Sequence, residues 1–149
     1  MIIRLPEVFL DKGLTDREIV FSAFMWRIRK AHPTAKMYRM YAMDIKTILG
    51  CNGKGSPETA MKSLTEFFDV DDVNADIWYV KCKWKREGPI DYVIEDESAI
   101  RIWCYLLGRT AGERYLDENP KTMQQFTVER KKVFGSYGHL LDFPEFSQF

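Results

Sequence analysis

Three short stretches hold the residue types that acid–base, nucleophilic or phosphate chemistry would use. His32-Pro33-Thr34 sets a histidine beside a hydroxyl, as one half of a two-histidine acid–base device would. Such a device needs a second His-x-Thr, and the other histidine, His139, is followed by Leu140-Leu141. The pair is incomplete, and His32 reads as a loop residue. Cys51 is a nucleophile by type, but nothing near it in sequence supplies a base to draw off its proton. Gly53-Lys54-Gly55-Ser56 has the glycines, lysine and hydroxyl of a phosphate cradle without the spacing of a P-loop. Cys51, Cys82 and Cys104 are widely spaced, no CxxC occurs, and two histidines cannot complete a zinc site around them. No catalysis, metal or cofactor is expected, and the cysteines read as free buried thiols in a reducing cytosol.

Binding chemistry fares better. Asn52, Lys54 and Ser56 lie in a glycine-rich turn directly before a helix start, where unpaired amides and a positive dipole end suit a phosphate. Thr59, Lys62 and Ser63 come next, at a spacing that puts them on the polar face of that helix. Lys83, Lys85 and Arg86 form a second cationic group, suited to backbone contacts.

The elements that must position these residues have local signals. Thr15-Asp16-Arg17-Glu18 is a capping box, and Ile19 to Ile28 is apolar nearly all round, so the spacing predicts a central helix ended by His32-Pro33. A second helix is expected from about Met40 to Leu49, with Ile45, Ile48 and Leu49 inward and Gly50 just past its end. Ser56-Pro57-Glu58 starts a third, expected to reach about Phe68, with Ala60, Met61, Leu64, Phe67 and Phe68 on one side. The acidic run Asp69-Val70-Asp71-Asp72 reads as a solvated turn. Trp78, Val80, Cys82 and Trp84 then alternate with polar residues, as do Ile90, Tyr92 and Ile94. With turn chemistry at Arg86-Glu87-Gly88-Pro89 between them, the two runs predict a hairpin whose tip carries Lys83, Lys85 and Arg86. Residues from Ser98 to Leu107 read as a helix closed by Gly108 or as a third strand, and Ile100, Cys104 and Leu107 on one face lean to the helix. Another helix is expected from Asn119-Pro120 to about Phe134, and the phenylalanine-bearing tail from Leu140 to Phe149 is expected to dock on the core.

Helix, helix, tight turn, helix and β-hairpin is the order of a winged helix-turn-helix, in which the third helix enters the major groove. The fold class expected is therefore α+β: three helices and a β-hairpin over about 3–95, with additional C-terminal helices over about 96–149, in one domain of 149 residues. Bulk properties agree, since 46% apolar and 30% charged residues suit a globular core. No apolar run nears the ~18 residues of a membrane span. Met1-Ile2-Ile3-Arg4-Leu5-Pro6 has no signal-peptide pattern, so a cytoplasmic protein that meets no membrane is expected. Zero net charge argues against coating DNA by electrostatics alone, but the charge is uneven. Residues 1–50 carry nine Lys/Arg against five Asp/Glu, whereas residues 51–100 carry six against eleven.

The stretch from Ile3 to Leu64 also resembles a known family. Its features are Leu5-Pro6, then Gly13-Leu14-Thr15 opening an apolar helix that ends in Trp26-Arg27-Ile28. Tyr38 and Tyr41 before Asp44-Ile45, Ile48-Leu49-Gly50-Cys51, and Thr59-Ala60-Met61-Lys62-Ser63-Leu64 complete the set. Together they resemble the N-terminal winged-helix domain of Gram-positive plasmid replication initiators of the RepA-N type. The resemblance implies that Lys54, Thr59 and Lys62 lie in a DNA-reading element. It implies a non-enzymatic protein of a phage, plasmid or other mobile element that binds double-stranded DNA in replication or transcription control. The alternative is a protein-interaction module on the same scaffold, such as a phage inhibitor of a host machine, using the acidic segment 69–76. A homodimer through an exposed apolar tail is compatible with either.

Overall fold

A computed structural model describes residues 1–31, 33–51, 56–74, 77–103 and 106. The expected helix at 119–134, the tail at 140–149, both histidines and Cys104 lie outside the described residues. Within them the chain is mixed α+β, with two small antiparallel sheets and several helices.

The first strand, β1, is Ile2–Pro6, and it runs into a 3-10 helix, Glu7–Lys12, ended by Gly13 in the left-handed region at φ 65°. The central helix α1 spans Asp16–Ala31. Its capping box forms as expected: Thr15 N–H donates to Glu18 Oε1 at 2.9 Å, and Glu18 N–H donates to the Thr15 hydroxyl at 3.2 Å. Every side chain from Ile19 to Ile28 except Arg27 is buried, so the middle of α1 is enclosed nearly all round. It ends at Ala31, two residues before Pro33.

Next come β2 (Tyr38–Tyr41) and α2 (Ala42–Leu49). The helix expected from Met40 is corrected here, because it begins only at Ala42 and a strand precedes it. Tyr38 and Met40 alternate inward as a strand, and Tyr41 is the extended residue before the helix. Gly50 closes α2 at φ 74°, with Gly50 N–H donating to Thr47 O and Cys51 N–H to Lys46 O. A side chain at Gly50 would also collide with the Arg17 guanidinium, 2.9 Å from the position of its Cβ.

Helix α3 is regular only over Pro57–Ala60. Beyond it, residues 61–67 continue as successive turns. Leu64 N–H donates to Met61 O and Phe67 N–H to Leu64 O, both i→i+3 bonds that wind more tightly than an α-helix. The expected helix to Phe68 is thus shortened, yet its burial period persists. Pro57, Ala60, Met61, Leu64 and Phe67 point inward, while residues 58, 59, 62, 63, 65 and 66 stay exposed.

The strands β3 (Phe68–Asn74), β4 (Ile77–Cys82) and β5 (Pro89–Val93) correct the hairpin. The acidic run is not a turn. It is β3, which pairs with β4 so that Phe68 faces Cys82, Asp69 faces Lys81 and Val70 faces Val80. On its other edge β4 pairs with β2, setting Met40 against Trp78, so the sheet order is β2-β4-β3. β5 does not return to β4. It pairs with β1 from Ile2↔Val93 to Pro6↔Pro89 as a separate ribbon. Residues 83–88 therefore join two sheets instead of turning a hairpin.

Both sheets pack on α1 through one core. Phe9 from the 3-10 helix meets Phe67 at 4.4 Å between ring centroids and Trp84 edge-on at 5.1 Å, while Phe68 meets Phe21 at 5.2 Å and Trp84 at 5.4 Å. Trp78, Trp84 and Trp103 are all buried, so the tryptophans are core groups and not a stacking platform for bases. After β5, the Asp16 carboxylate accepts from Glu95 and Asp96 N–H at 2.7 and 2.8 Å, tying the start of α1 to the chain leaving that strand. Residues 97–103 are helical, as expected for the Ser98–Leu107 region, and Asp96 caps them by accepting from Ser98 and Ala99 N–H.

Candidate nucleic-acid interface

Of the nine side chains expected to contact DNA, four come together. Ser56, Thr59, Lys62 and Ser63 share the exposed side of the α3 segment. Burial of the opposite side sets this face: Ala60, Met61 and Leu64 hold the segment against the core, so the residues between them must point out. Ser56 is engaged as the helix cap, its Oγ accepting from Thr59 N–H at 3.3 Å and lying 3.1 Å from the Thr59 hydroxyl. Lys62 and Ser63 also point outward, beside the exposed Glu58 and Thr65. Asn52 and Lys54 lie outside the described residues.

The second cationic group does not stand at a hairpin tip as expected. The end of the β3–β4 hairpin falls between Asn74 and Ile77, away from Lys83, Lys85 and Arg86. Lys83 lies at the base, where its N–H donates to Phe67 O at 2.8 Å and its ammonium pairs with Asp69 at 3.1 Å. Lys85 and Arg86 are exposed in the connection from β4 to β5. The hairpin instead carries Asp69 and Asp71 on its exposed face, opposite Lys81 and Tyr79. Lys83 offsets Asp69 and Lys81 stands opposite it, so the exposed charge of the hairpin is mixed, with Asp71 across from Tyr79.

Two further groups shape the electrostatics, and neither has a local signal. Lys12 pairs with Glu66 at 3.2 Å and offsets an acid on the α3 segment. Arg29 pairs with Glu87, whose carboxylate also accepts from the Trp26 indole N–H. Arg29 lies over the Trp84 ring at 3.9 Å and donates to Trp84 O at 2.8 Å. This fixes the 83–88 connection against the end of α1.

The two described cysteines, Cys51 and Cys82, are not activated. Burial pushes the Cys82 thiol up to about 12 and also raises Cys51, with Glu18 adding to the latter, so neither is a ready thiolate at neutral pH. Among the described residues no group of three or more His, Cys, Asp or Glu could hold a metal ion. Nor is any helix among them long and apolar enough to cross a membrane. No protein-family model, curated protein or solved structure matches the chain.

Proposed function

We propose that the segment from α1 to β4 is a winged helix-turn-helix and that the protein binds double-stranded DNA through its α3 segment. The observation that carries this reading is the element order α1-β2-α2-α3-β3-β4 with strand order β2-β4-β3. It leaves a polar face of Ser56, Thr59, Lys62 and Ser63 outside the core, at the place where a winged helix presents its reader. The resemblance to RepA-N replication initiators over Ile3–Leu64 runs through the same elements. On this reading the protein is a non-enzymatic, cytoplasmic regulator of replication or transcription on a phage, plasmid or other mobile element.

A second reading, a protein-interaction module on the same scaffold, is favoured by the exposed Asp69 and Asp71 of the hairpin. Fluorescence anisotropy with a labelled mixed-sequence duplex at several salt concentrations separates the two. DNA binding predicts micromolar or tighter affinity that falls steeply as salt rises. No binding at low salt rejects it and leaves the protein partner.

A further inference from the structure

The chain leaves α2 under a tight constraint. Gly50 N–H donates to Thr47 O at 3.2 Å and Cys51 N–H to Lys46 O at 2.8 Å, so residues past the helix bond two of its last carbonyls. Thr47 O accepts a second bond, from Arg17 Nη1 on α1 at 3.0 Å. That guanidinium brings a positive charge to the negative end of the α2 dipole. It also lies against the bare backbone of Gly50, where a Cβ would stand 2.9 Å from Nη1 and 3.1 Å from Cδ.

Arg17 is itself held from the other side. Its Nε donates to the Ser98 hydroxyl at 3.4 Å. The neighbouring Asp16 carboxylate accepts from Glu95 and Asp96 N–H at 2.7 and 2.8 Å. The Thr15–Glu18 capping box fixes the turn of α1 that carries both side chains. Arg17 is half-buried, and its two partners lie 30 and 81 residues away in the chain. It joins α1, the exit of α2 and the start of the helical residues 97–103. Only residues 51–55 separate Gly50 from Ser56, the cap of the α3 segment. Across so short a connection, the direction in which α2 ends limits where α3 can begin.

We propose that Arg17 is a positioning residue: it fixes the exit of α2 and, through it, how the face of Thr59, Lys62 and Ser63 is presented. The consequence for binding rests on the DNA reading; the clamp on α2 does not.

Amide hydrogen exchange on the full-length 15N-labelled protein tests the clamp. Arg17→Gln, which removes the charge and the reach to Thr47 O, is expected to lower protection of the Gly50 and Cys51 amides about tenfold. The slowest amides of α1 report global unfolding and should fall less than about threefold. Arg17→Lys keeps a cationic donor and should restore most of the lost protection. Anisotropy titration with a mixed-sequence duplex tests the consequence, and Arg17→Gln should weaken binding about fivefold with an unchanged salt slope. Unchanged protection at Gly50 and Cys51, or a loss no larger there than in α1, overturns the proposal, because Arg17 would then serve overall stability alone. An unchanged duplex affinity overturns it too, and a salt slope smaller by about one makes Arg17 a phosphate contact instead. If the wild-type protein binds no duplex, the DNA reading fails by itself, and exchange at Gly50 and Cys51 still decides whether Arg17 holds the α2 exit.

Discussion

The α3 segment and the β3–β4 hairpin are consecutive in the chain and share one core, yet they present charge to solvent in different ways. The first exposes hydroxyls and Lys62 beside Glu58, with its Glu66 offset by Lys12, whereas the second exposes Asp69, paired with Lys83 and opposite Lys81, and Asp71 opposite Tyr79. In a winged helix both would border the DNA. On the proposed DNA reading, Asp71 on the wing weakens its contact with phosphate and leaves more of the affinity to the helix. Burial decides which residues each region exposes; charge decides what those residues can meet.

The largest effect is expected where the two regions share their support. Trp78 lies in the middle strand β4, is 2% exposed and faces Met40 on β2. Trp78→Ala is expected to cost about 3–5 kcal/mol in urea unfolding, with both regions lost in one transition. Separate transitions for helix and hairpin would show that they do not depend on one core.

A smaller effect sharpens the helix side. Lys62→Ala is expected to weaken duplex binding about tenfold, or ~1.4 kcal/mol, in the anisotropy titration. An unchanged Kd would mean that the α3 face is not the reader. Smaller still is the reverse change on the hairpin. Asp71→Asn should tighten duplex binding roughly threefold at low salt, an effect that fades as salt screens the carboxylate. If affinity falls instead, the acidic strand contributes to binding and the contrast fails.

The smallest effect is one of pH. The Ser98 hydroxyl and the Ala99 and Ser98 amides hold the Asp96 carboxyl below its ordinary value of 3.8. A carboxylate whose pKa is lower in the folded state stabilises the protein above its unfolded value, and this is lost as pH falls through the folded one. Acid titration of thermal stability should show a step below about pH 4 that Asp96→Asn removes. A step of the same size in the variant would assign it to other carboxylates.

Much of the helical half is written in short-range signals. The Thr15–Glu18 capping box, Gly50 past α2 and the Ser56-Pro57 start each bond within a few residues, so spacing along the chain is enough to find them. The polar face of Thr59, Lys62 and Ser63 comes from helical period, and it survives although the regular helix stops at Ala60. The alternation of Trp78 and Val80 likewise marks β4 correctly as a half-buried strand.

The partners of that strand were not legible. Period two says which residues face inward but not what lies beside them, and strand pairing joins segments that local chemistry cannot connect. The acidic β3 looks like a turn because its aspartates dominate, although Phe68 and Val70 carry the inward side. β1 and β5 pair across nearly the whole described chain, and only that pairing makes residues 83–88 a bridge between sheets. It also moves the charges: Lys83, Lys85 and Arg86 stand away from the hairpin tip, and Glu87 meets Trp26 and Arg29. Sequence alone determined the caps, the buried faces and the exposed polar side of the α3 segment, because those depend on neighbours a turn away. Tertiary structure decided which strands pair and where the charges stand relative to one another, because long-range contacts set both.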